Sequence, residues 1–144
     1  YDGGLRTPIL VRWPGRVRPA VSDTPVSSID LAPTVLRAVG VQPPAGMPGV
    51  NLLDADALRR RPALFGAVFE HNAVDIERPA ANVQYRWVLA GGWKFIRPHA
   101  ARVPDARPEL FRVDRDPDER ENLAAREPAK VAELTTLLDG WWAG

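Results

Sequence analysis

The sequence predicts an α/β fold in which the terminal strand and helix of a larger sheet are followed by a small antiparallel sheet packed on a C-terminal helix. Three stretches carry that reading. Ile9-Leu10-Val11 is a short apolar run without polar alternation, the pattern of a strand buried on both faces. Gly91-Gly92 separates two runs of strand-forming residues, the pattern of a tight hairpin. Pro128 to Trp142 places Val131, Leu134, Leu138 and Trp141 on one helical stripe.

Taken in order, the opening stretch from Tyr1 to Gly15 puts Pro8 at the first position of the expected strand, where a missing N–H costs least. A Trp13-Pro-Gly turn then closes the strand. A chain rarely begins with its most buried element, because termini fray at the surface. The expectation is therefore that these residues form the tail of something larger. Gly3-Gly4 lacks the spacing and lysine of a phosphate loop, so close backbone approach or a positive φ is the expected role. Arg6 is expected to support the structure by pairing with a nearby acid or carbonyl.

A helix is expected over Asp30 to Val39, with Asp30 as N-cap, Pro33 in the first turn and Gly40 as the stop. Ile29, Ala32, Leu36 and Val39 would form its apolar stripe. The opposing choice, Ser27 as cap with Asp30 completing a capping box, pushes Pro33 deeper into the helix. Val41 to Asn51 reads as a surface loop, and Leu52 to Arg61 as one helical turn ending in a solvated Arg59-Arg60-Arg61 face. A domain boundary is expected here, dividing 1–61 from 62–144.

Pro62 to Glu70 suits a buried strand. His71 to Asn82 has no hydrophobic period and is long for a plain connection. In the hairpin, Tyr85, Trp87 and Leu89 share one face, and Arg86 and Val88 the other. Glu109 to Val113 gives another strand, and Asp116 is expected to initiate the turn that follows by accepting from nearby backbone N–H groups.

The whole chain has 144 residues, 45% hydrophobic and 26% charged, with a net charge of +1. That balance offers no footprint for nucleic acid. Without cysteine, disulfides and thiolate metal sites are excluded. No run has the length of a membrane span, and these residues leave the cellular compartment open.

The chain also resembles the C-terminal part of type I, formylglycine-dependent sulfatases of the alkaline phosphatase-like superfamily. The resemblance rests on Tyr1-Asp-Gly-Gly-Leu-Arg-Thr-Pro-Ile-Leu-Val-Arg-Trp-Pro-Gly15, on Val26-Ser-Ser-Ile-Asp-Leu-Ala-Pro-Thr-Val-Leu-Arg-Ala-Val-Gly40, on Gly92-Trp-Lys-Phe-Ile96 with Glu109-Leu-Phe111, and on Asp116-Pro-x-Glu-x-x-Asn-Leu-Ala124. These segments occur in the family's order across most of the chain. Asp2 stands where the family usually carries Glu.

What the resemblance implies is a parent enzyme that hydrolyses sulfate esters, with calcium and a formylglycine nucleophile in its missing N-terminal catalytic portion. The nucleophile's Cys/Ser-x-Pro-x-Arg motif is absent here, and the family's catalytic lysine would fall just before Tyr1. Asp2, Asp23, Asp30, Asp54, Asp56 and Asp75 form no recognisable ligand pattern and read as caps, turns or solvated residues. The fragment is therefore expected to complete the fold and wall the substrate cleft, and to be inactive alone. Expected partners are the missing catalytic portion and a sulfated small molecule or carbohydrate. Exposed apolar surface would also favour self-association of the fragment.

Among the remaining groups, His71 and Asn72 open the long polar loop after a strand, so they are the candidate substrate contacts, with an ordinary hydrogen-bonded histidine as the competing reading. His99 reads as solvated. Trp141-Trp142 suggests a sugar platform, but core packing of one and partial exposure of the other is the simpler expectation. Two other functions fit the same resemblance less closely: a related phosphodiesterase or phosphonate hydrolase, and a noncatalytic binding or assembly module.

Overall fold

The computed structural model describes residues 1–142. The chain forms two compact units: Arg6–Leu64, and Tyr1–Leu5 together with the residues from Phe65 onward.

In the Arg6–Leu64 unit, Ser28–Asp30 forms a 3-10 turn that leads directly into helix α2, Leu31–Ala38, and a second short helix, α3, spans Ala55–Arg60. The expected helix is present, but the two cap readings share the start. Asp30 precedes the first helical residue, yet its carboxylate does not cap that helix. Oδ2 instead accepts from Ser27 N–H at 2.8 Å, the reach-back half of a capping box. Pro33 is tolerated because a helix's first turn has no intrahelical N–H partners to lose.

The buried face of α2 is Pro33 and Thr34, not the anticipated apolar stripe. Thr34 Oγ1 donates to Asp30 O and accepts from Leu52 N–H, so polar bonds organise this interior. Ile29, Leu31, Val35 and Val39 lie exposed. Gly49, with φ of 92°, brings its backbone so close to Ile29 that a Cβ would meet the Ile29 carbonyl oxygen at 2.4 Å. The expected strand at Ile9–Val11 is a further correction. These residues pair with no strand among the described residues, and Leu10 is 92% exposed. A strand buried on both faces needs neighbours that fill both its edges and its faces, and none of the described elements supplies them.

In the second unit, β1 (Leu64–Phe69), β2 (Val83–Ala90), β3 (Trp93–Pro98) and β4 (Glu109–Arg112) form one sheet in the order β1-β2-β3-β4. β2 with β3 and β3 with β4 pair antiparallel. The hairpin turn falls on Gly91 and Gly92, both with positive φ as a two-residue primed turn requires. β1 is less buried than its sequence implied, with Val68 and Phe69 exposed.

Register fixes the two faces. Val88 pairs with Phe95 and Phe95 with Leu110, so these share the face covered by α4, Pro128–Trp141. Val88, Phe95 and Leu110 with Leu134 and Leu138 of α4 are the apolar core, each at most 1% exposed. Arg86 on the same face donates to Trp142 O and lies 3.6 Å from Asp139, which also pairs with Arg97. The opposite face carries Trp87, Leu89, Lys94, Ile96 and Phe111. A short helical turn, α1 (Asp2–Leu5), belongs to this unit, and Tyr1 packs edge-on against Phe111 at 5.9 Å between centroids.

Candidate functional site

The second face of the sheet buries a charge. Lys94 belongs to a strand whose alternation turns it away from α4, between Leu89 and Phe111 across the register. Its side chain is 1% exposed. Nζ lies 2.6 Å from Asp2 Oδ1 and 2.8 Å from Glu119 Oε1, and 6.0 Å from the centre of the Trp87 ring. A buried ammonium without such partners would carry a desolvation cost of several kcal/mol.

Local geometry delivers both carboxylates. Asp116 accepts from Arg120 N–H and Glu121 N–H at 2.8 and 2.9 Å, the turn role read from its sequence. That turn places Glu119 at φ of 54°, a left-handed conformation costing an L-residue roughly 1–2 kcal/mol. Glu119 Oε2 accepts the backbone N–H of Asp2, while its Oε1 meets Lys94 as an ion-pair contact outside hydrogen-bond alignment. Asn122 then ties the turn to β4: Oδ1 accepts from Leu110 N–H at 3.0 Å and Nδ2 donates to Pro108 O. Tyr1 OH donates to Glu109 at 2.9 Å, and that bond raises the phenol's pKa above its ordinary value. Tyr1, Gly3, Pro117, Asp118 and Glu119 line a hollow of about 320 Å³ beside this cluster.

His71 and Asn72 are both exposed at the start of the loop after β1. The loop is held from its far end by Asn82, a residue the sequence reading passed over. Asn82 is 5% exposed; its Oδ1 accepts from Val74 N–H and Asp75 N–H, and its Nδ2 donates to Asp75 O. Asp75 in turn accepts from Glu77 N–H and Arg78 N–H and pairs with the Arg78 side chain, which holds its carboxyl below the usual range. Nothing in the sequence separates Asn82 from Asn72 as the buried one, because burial here is set by the 3-10 turn Pro79–Asn82 folding back to accept from Glu70 N–H just after β1.

The other expected roles divide between those the structure keeps and those it changes. Asp54 caps α3 by accepting from Ala57 N–H at 2.9 Å. Asp30 is fully buried and paired with Arg61 at 2.7 Å, so Arg61 leaves the solvated arginine face that its neighbours Arg59 and Arg60 form. Gly3 and Gly4 have neither positive φ nor a close neighbour; they are residues of α1. Arg6 is exposed. His99 is half-buried, with Nδ1 enclosed and without a hydrogen-bond partner. Trp141 stacks on Phe65 at 5.3 Å, and Trp142 lies 6.1 Å from Phe69. The pair thus caps the end of the sheet, with Trp141 still 43% exposed. Among the described residues there is no group of three or more His, Asp or Glu side chains placed to hold a metal ion.

The model of the family described as N-sulphoglucosamine sulphohydrolase, C-terminal, matches residues 1–139. The chain belongs to that sulphohydrolase C-terminal family. It is 29% identical over 151 residues to an N-acetylgalactosamine-6-O-sulfatase of Bacteroides thetaiotaomicron, aligning 96% of this chain with 28% of that protein. It is also 29% identical to arylsulfatase K of Xenopus laevis over 142 residues, covering 96% of this chain and 26% of the relative. The chain therefore spans about a quarter of the length of these relatives. Among solved structures, one from a study of glycosaminoglycan metabolism by Bacteroides thetaiotaomicron superposes with a TM-score of 0.66, at 20% identity over 85% of this chain and 28% of that one. A second, described as bound to its substrate D-glucosamine-2-N,6-O-disulfate, gives a TM-score of 0.55 at 24% identity, over 77% of this chain and 22% of that one. The sulfatase-like fold expected from the sequence is thus present: α/β, with an antiparallel sheet and a C-terminal helix.

Proposed function

We propose that the protein acts as the C-terminal portion of a sulfatase that hydrolyses sulfate esters of a small molecule or carbohydrate. Its part is to complete the fold and wall the substrate cleft, while the catalytic centre lies outside the described residues. The observation that carries this reading is the alignment of 96% of the chain with sulfatases acting, by their names, on quite different substrates. A segment shared by N-acetylgalactosamine-6-O-sulfatase, arylsulfatase K and choline-sulfatase supports the common reaction rather than one substrate. On this reading calcium and formylglycine belong to the catalytic portion, which is the partner of these residues.

His71 and Asn72 are the substrate contacts in this proposal. Their exposure at the end of β1, on a loop braced by Asn82, supports it. Imidazole and carboxamide can donate to a sugar hydroxyl or a sulfate oxygen. Each such bond contributes on the order of 1 kcal/mol to binding.

The experiment is sulfate release by the full-length protein from an aryl sulfate and from sulfated monosaccharides, with a phosphodiester and a phosphonate ester as comparison substrates. Turnover of the sulfate esters is the expected result. Preference for the phosphorus esters would overturn it, and binding of sulfated sugars without turnover would leave a noncatalytic module.

A further inference from the structure

We propose that Lys94 is a positioning residue: through Asp2 it fixes Tyr1–Leu5 on the second face of the sheet, and so fixes where the catalytic portion joins these residues. The proposal rests on the function just described.

Tyr1–Leu5 belongs with the residues from Phe65 onward and not with the unit that begins at Arg6. A four-residue helical turn cannot sustain itself, and this one buries none of its residues and contains two glycines. What holds it is a small set of contacts: Asp2 to Lys94, Asp2 N–H to Glu119, and Tyr1 to Glu109 and Phe111. Lys94 is the one cation among them.

The two carboxylates on Lys94 are not equivalent. Glu119 is as buried as Lys94, with 1% side-chain exposure each, whereas Asp2 is 20% exposed. The Lys94–Glu119 pair is neutral by itself and remains so when Asp2 loses its charge. Docking of the turn is therefore separable from integrity of the sheet: removing the Asp2 carboxylate takes away the link to Lys94 and loosens residues 1–5 without stranding a buried charge. The segment that resembles other sulfatases at Tyr1-Asp-Gly-Gly meets two more such segments, Trp93-Lys94 and Asp116-Pro-x-Glu119, at this one point.

The consequence for reaction follows from connectivity. On the proposed function, the catalytic centre is carried by another part of the full-length protein. On that reading the chain carrying the centre leads into Tyr1, and the contacts of Tyr1 and Asp2 tie this entry point to the sheet. A shift of that point moves what precedes it, and displacements near 1 Å cost an enzyme about 10²-fold in rate. If the clamp acts through position and not through contact with substrate, the effect falls on kcat and leaves KM little changed.

The test uses the full-length protein with Asp2→Asn, the conservative Asp2→Glu, and Lys94→Met. Hydrogen exchange of the segment containing Tyr1–Leu5 is read alongside kcat and KM on an aryl sulfate. Asp2→Asn should speed exchange in that segment about tenfold or more while β3 stays protected, and lower kcat about tenfold with KM little changed. Asp2→Glu should restore both. Lys94→Met should show the same local signature with a lower melting temperature. Unchanged exchange in Asp2→Asn would overturn the clamp. Faster exchange with kcat unchanged would overturn the positioning role. If wild type releases no sulfate, the proposed function falls, and the exchange result alone decides whether Lys94 fixes residues 1–5.

Discussion

Lys94 and Glu119 are buried together at 2.8 Å, from a strand interior and from a left-handed turn position. Sulfatase-like motifs that read in sequence as separate segments are thus one structural junction. Removing the ammonium leaves Glu119 enclosed with no counter-charge. Lys94→Ala should destabilise the second unit by about 3–5 kcal/mol in urea unfolding, the cost of stranding a buried partner. A loss below about 1 kcal/mol, the level of exposed ion pairs, would show the site to be wetter than its burial indicates.

Asp30 and Arg61 play the corresponding part in the Arg6–Leu64 unit. The carboxylate accepts from Ser27 N–H, Val50 N–H and Arg61, and Arg61 also donates to Pro25 O at 2.6 Å. Arg61→Ala should therefore cost that unit about 3 kcal/mol, with Arg59→Ala, which loses only an exposed pair with Asp56, nearly silent. Thermal unfolding of the two variants side by side checks the contrast.

Gly66 leaves no room for a side chain. A Cβ there would meet the Trp87 ring at 2.4 Å. Because Trp87 also flanks Lys94, the ring cannot shift freely. Gly66→Ala should destabilise by about 1–3 kcal/mol, the usual range for overpacking, and near-ultraviolet circular dichroism should report a displaced tryptophan.

The end of α4 should loosen in acid. The Arg97 guanidinium beside Asp139 holds that carboxyl below its ordinary value, with Arg86 adding to the effect. A carboxyl depressed on folding contributes stability above its unfolded pKa, and loses it as pH falls through the folded one. Asp139→Asn should therefore lower the melting temperature at neutral pH, and the difference from wild type should vanish in acid. A gap independent of pH would assign Asp139 a packing role instead.

The exposed row of Leu31, Val35 and Val39 along α2 predicts association of the 144-residue chain. Sedimentation should show oligomers at micromolar concentration that Val35→Asp with Val39→Asp reduces. A wild-type monomer would remove this expectation.

The hairpin, the last helix and the Asp116 turn were legible in the sequence because each is local. Paired glycines, a helical stripe and an aspartate before proline impose their geometry within a few residues. Family membership was legible for a related reason, since motif order along the chain needs no coordinates. The strand expected at Ile9–Val11 failed because a strand exists only with its neighbours. Asn82 was missed in favour of Asn72 because only the fold-back of the loop makes one of them interior. Lys94 could be read from sequence as the lysine of the Gly92–Ile96 motif, but not as a buried charge. Its partners lie at the chain's first residues and beyond β4, and only tertiary folding brings opposite charges from such distances into a place without water.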